Sequence, residues 1–128
     1  MSHFGNVPVE ALADAVEKHV AKMDEAELAA LLLGGLDRMP SDALSALVAS
    51  IFDAFRDRGE SSEDAAEGAN TSLHALESGD RAASAGLIRY ASENTALLKE
   101  SMALFAQDHR DQLHALPQPL IDGISARL

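Results

Sequence analysis

Leu28-Ala29-Ala30-Leu31-Leu32-Leu33-Gly34-Gly35-Leu36 is an uncharged apolar run. Beyond Pro40 it is matched by Leu44, Leu47, Val48, Ile51, Phe52 and Phe55. The second set follows the i, i+3, i+4, i+7, i+8, i+11 series of one helix face. Together they predict an apolar hairpin from Asp24 to Gly59. Such a hairpin must be covered on more than one side, so it is either the centre of a bundle or half of an oligomer.

Local signals bound both arms. Asp24 and Glu27 have the spacing of a capping box, and the helix they start is expected to run to about Arg38. Leu28, Leu31, Leu32 and Leu36 form its main face. Gly34 and Gly35 each cost about 1 kcal/mol relative to Ala inside a helix. Close approach of another element, or an early helix end, is therefore expected there. Pro40 forbids simple continuation. Ser41 is expected to cap the second arm, whose last turn holds Arg56 and Arg58 before Gly59.

Outward from the hairpin the pattern stays helical. Pro8 suits a first turn, and Leu12, Val16 and Val20 make a thin stripe through Lys22. Residues 60–64 read as a polar connection. A weaker helix then runs to about Ser78 on Ala65, Ala66, Ala69, Leu73 and Leu76, with 60–72 expected to open most easily. Gly79 stops it, and Asp80 caps the next helix. From Arg81 to Ala115, Ile88, Ala91, Thr95, Leu98, Met102, Phe105 and His109 repeat at heptad spacing. One unbroken helix over this segment would be about 52 Å long, about twice the length of the others. The alternative is a break near Ser92-Glu93-Asn94-Thr95, where Ser92 could cap. Pro117 and Pro119 end the segment, and Leu120, Ile121, Ile124 and Leu128 predict a short docking helix.

Hydrophobic residues are 47% of the 128 but aromatics only 4%, and the apolar fraction is dominated by Ala and Leu. These are helix formers rather than strand formers. The expected fold is an all-α, single-domain helical bundle over 1–128, of five to six helices. Its long C-terminal helix is either continuous or broken near 92–95. Without cysteine there is no disulfide, thiolate ligand or thiol nucleophile. Met-Ser-His-Phe-Gly-Asn shows no basic region before an apolar core, and no apolar run approaches the ~20 residues of a membrane span. The expected location is cytoplasmic, with no membrane partner. A net charge of −11, concentrated in the first half, opposes phosphate backbones and predicts no nucleic-acid partner.

Chemistry-bearing clusters are sparse. His109 falls on the apolar stripe after Phe105 and reads as a ligand or pH-responsive group, or as a partly exposed residue where the stripe leaves the core. The second reading is favoured. With Asp111 and His114 it is a weak candidate for a divalent ion, but no Glu-x-x-His of a di-iron bundle occurs. His74 and Glu77 share a face by spacing alone. There is no Gly-x-Ser-x-Gly elbow, and Gly34-Gly35 lacks the Lys-Ser/Thr of a phosphate-binding loop. Arg89 and Tyr90 suggest a surface anchor, and acids accumulate over 53–67, interrupted by Arg56 and Arg58.

Surplus apolar helix surface without a catalytic constellation points to a non-enzymatic interaction or regulatory module that self-associates, with no cofactor. Its expected contact residues are Gly34, Gly35, Leu98, Met102, Phe105, Leu120 and Ile124. Two alternatives stand beside it: a small-ligand or metal-binding bundle around His109, and an acidic regulator of a basic protein partner.

Overall fold

Helix α1 (Val9–Ala21) begins directly after Pro8 and buries Leu12, Ala15, Val16 and Val20. Asp24 then caps α2 (Glu25–Gly34), its carboxylate accepting the Glu27 N–H at 2.6 Å. These features come from a computed structural model, which describes residues 8–57, 71, 74, 75, 77, 78 and 80–126.

The hairpin turn differs from expectation in a way its glycines explain. Helix α2 stops at Gly34, and the stretch up to Arg38 is a separate 3-10 turn, Leu36–Arg38. Helix α3 (Ser41–Asp57) starts with Ser41 already helical, and the Pro40 carbonyl accepts the Leu44 N–H. Its face is buried at Leu44, Leu47, Val48, Ile51 and Phe55, as is Ala46 on the flank.

Residues 71, 74, 75, 77 and 78 are helical, and Ala75 is buried. The stretch 60–72, expected to open most easily, and the stop at Gly79 lie almost wholly outside the described residues. Asp80 caps α4 (Arg81–Tyr90) through a 2.9 Å bond from the Ala82 N–H.

The long helix expected over 81–115 is three segments. After α4 the chain widens into a π-turn, Ala91–Thr95, and Ala96 adopts the left-handed conformation at φ 52°. Helix α5 (Leu98–Asp108) then restarts. Ser92 does not cap it; its hydroxyl donates back to the Arg89 carbonyl at 3.0 Å. The cap comes from the other end of the sequence. Glu25 accepts the Leu98 N–H at 2.8 Å and the Lys99 N–H at 3.3 Å, satisfying two otherwise orphaned donors. A second break follows at His109, after which a 3-10 turn, Arg110–Ala115, leads to α6 (Gln118–Ser125). A straight rod of about 52 Å would leave its ends uncovered, whereas breaks fold the stripe back onto helices of half that length.

Strain at Ala96 is local and measurable. An L-residue in the left-handed region costs about 1–2 kcal/mol, part of which glycine returns as unfolded-state entropy. Ala96→Gly is therefore expected to raise stability by about 0.5–1 kcal/mol in urea denaturation.

Helix α5 is the centre of the bundle. Its most extensive contacts are with α3 on one side and α1 on the other, while α6 packs on α1 and α2 packs on α4 and α5. Leu98, Met102 and Phe105 are fully buried there. Ser101, also buried, sends its hydroxyl to the Leu97 carbonyl at 2.9 Å, so its polarity is satisfied. Among the described residues the fold is all-α with no strand, and no helix is long and apolar enough to cross a membrane.

Candidate functional site

The two glycines of the hairpin have different roles, and the difference defines the site. Gly35 lies under Pro117: a Cβ there would fall 2.6 Å from Pro117 Cγ and 2.7 Å from its Cβ. This is the close approach that the glycine pair announces. Gly34 is exposed, and an added Cβ would meet no described atom within 4 Å. The two positions predict opposite outcomes. Gly34→Ala is expected to stabilise by about 0.5–1 kcal/mol through helix propensity. Gly35→Ala is expected to destabilise by about 1–3 kcal/mol, because a stiff proline ring must move. Guanidinium denaturation of the pair checks both signs at once.

Gly34 opens onto a half-enclosed cleft of about 700 Å³. One wall is the end of α2 and the following turn, with Leu31, Gly34, Gly35, Arg38 and Pro40. The other is the approach to α6, with His114, Ala115, Leu116, Pro117, Gln118 and Pro119. Leu31 and Ala115 are only half-buried, and Pro40 and Pro119 are exposed, so apolar surface is available here. The size is that of a small-ligand site, and the lining is mainly apolar with few polar groups, as such sites are.

A half-buried arginine holds one wall in place. Arg81, at the start of α4, donates to the Leu36 carbonyl at 2.6 Å and to the Met39 carbonyl at 2.8 Å. Its planar fork spans two carbonyls of the turn between α2 and α3. Charge alone gave no sign of this role, because the donors and acceptors lie more than forty residues apart in sequence.

The expected interface residues separate into two groups. Leu98, Met102, Phe105, Leu120 and Ile124 are all fully buried within one chain. They are core, not surface, because α1, α3 and α6 close over the stripe that the sequence left open. Only Gly34 and Gly35 reach a surface, and they do so in the cleft. The metal candidates do not converge either. His109 is half-buried at the end of α5, its ring 5.9 Å from that of Phe105, while Asp111 and His114 are exposed on the 3-10 turn. Among the described residues no three His, Asp or Glu side chains gather as a metal site.

Other candidates are placed as follows. His74, Glu77 and Arg89 are exposed, and Tyr90 is half-buried with its ring 6.0 Å from that of Phe55. Of the acids expected over 53–67, Asp53 and Asp57 line a shallow depression with Arg56, Leu104 and Asp108. Arg56 also lies 5.6 Å above the Phe52 ring. Glu60, Glu63, Asp64 and Glu67 lie outside the described residues. The cleft was the feature missed in sequence, although the Gly34-Gly35 pair and Pro117-x-Pro119 are its two visible edges.

The chain matches no protein-family model, no curated protein and no solved structure.

Proposed function

We propose that this protein is a non-enzymatic helical binding module whose recognition site is the cleft between the end of α2 and the segment leading into α6. One observation carries this reading. Among the described residues most apolar side chains are buried in the core, while half-buried Leu31 and exposed Pro40 and Pro119 line an open concavity of about 700 Å³. The five buried residues are not exposed to a second copy, and the volume of the cleft is that of a small-molecule site, so a small molecule is the proposed occupant. Arg81 holds the α2 wall and the Gly35–Pro117 contact ties the two walls together, and such preorganisation lowers the cost of binding.

Gly34 provides the test. Gly34→Met projects a flexible side chain into the cleft from a position where an added Cβ meets no described atom within 4 Å. A thermal-shift screen of small amphipathic anions, cations and neutral compounds is run on both proteins. Wild type is expected to gain stability with the concentration of at least one class, following mass action. Gly34→Met is expected to be folded and unresponsive. No response from wild type to any class, or equal shifts in both proteins, would refute the cleft as the site.

A further inference from the structure

We infer that the cleft selects a small carboxylate carried on an apolar body, anchored by Arg38; this rests on the cleft being the binding site. The chain has 21 acidic and 10 basic residues, yet among the described residues no Asp or Glu lines this cleft. Its charged lining group is Arg38, exposed at the rim, and His114 on the facing wall adds ring nitrogens. The formal charge of the lining is therefore opposite in sign to that of the whole molecule.

Helix ends do not decide this sign. Helix α2 ends at one wall and α6 begins at the other, so a partial charge of about −0.5 faces one of about +0.5. These largely cancel. The full charge of Arg38 remains, on a guanidinium whose fork matches a carboxylate in two parallel bonds. Leu31, Ala115 and Pro119 supply the apolar surface for the rest of the ligand. A cation would face Arg38, and a neutral amide would leave the fork only partly used.

The experiment uses octanoate, octanamide and octylamine, three probes that share a chain and differ in head group. Binding to the full chain is measured by NMR titration at neutral pH and low salt, with wild type, Arg38→Gln and Gly34→Met. Far-UV circular dichroism and melting confirm that each variant is folded. Octanoate is expected to bind wild type about tenfold tighter than octanamide, the value of one charge-assisted pairing. Octylamine is expected to be weakest. Arg38→Gln is expected to bring octanoate to the level of octanamide while leaving octanamide unchanged, and Gly34→Met to abolish both.

Equal octanoate and octanamide affinities, both lost in Gly34→Met, would overturn the carboxylate preference and leave the cleft reading standing. A preference for octanoate that survives Arg38→Gln would overturn the anchor. Failure of all three probes to bind wild type would overturn both readings. Sedimentation is run alongside: a mass that rises with protein concentration and falls on adding octanoate would place a second copy in the cleft, overturning the small-ligand assignment.

Discussion

Phe105→Ala is expected to lower stability by about 3–5 kcal/mol, the usual loss when a buried aromatic leaves a cavity. At about 4 °C per kcal/mol for a chain of this size, the melting temperature falls by about 12–20 °C. Phe105 is fully buried on α5, the helix that α1 and α3 enclose. Neighbours from two sides must collapse to fill the space, and packed interiors relax only in part. The loss is also expected to be the same at low and high protein concentration. A residue buried by a second subunit would instead give a stability that depends on concentration. Melting curves of wild type and variant over a wide dilution series read both the size of the effect and its origin.

The second large effect lies at Arg81. Arg81→Leu removes two charge-assisted bonds, to the carbonyls of Leu36 and Met39, and leaves the Leu36 oxygen with the Met39 N–H alone. The expected loss is about 1.5–3 kcal/mol, discounted from the full desolvation cost because Arg81 is only half-buried. Arg81→Lys keeps the charge but not the fork, so it is expected to recover less than half of the loss. Because the clamp shapes the turn that carries Arg38, ligand affinity in the cleft is expected to fall with both variants. Urea denaturation together with octanoate titration separates the stability effect from the binding effect.

The fold was legible in the sequence where the signal is local. The Asp24 and Asp80 caps, the α3 stripe and the first-turn Pro119 arise from spacing and residue chemistry within a few positions. What escaped is long-range. The heptad register of Ile88 to His109 is continuous in sequence, yet the chain breaks twice along it. Helix α5 is capped by Glu25, more than seventy residues away, and no local rule points to that donor–acceptor pair. The same register made Leu98, Met102 and Phe105 look like surplus surface, because the thin stripe of α1 hides how much it covers. Ala15, between Val16 and Leu12, is small enough to be overlooked and is nonetheless buried.

The candidate site was half legible for the same reason. Gly34-Gly35 signalled a close approach, and Pro117 is what approaches. That the second glycine makes the contact while the first opens a cleft is set by the path of the chain from α5 to α6, and spacing does not encode it. Arg38 has no distinguishing company in sequence, and His114 keeps company there only with His109 and Asp111. They become a site only when the two walls face each other.

The cleft as the binding site is tested most directly by amide chemical-shift mapping of the full chain during octanoate titration. Saturable shifts are expected at Leu31 to Arg38 and at His114 to Leu120, with the α5 amides around Met102 unmoved. Shifts centred on the depression near Asp53 and Asp108, or spread over the buried α5 residues, would contradict the assignment.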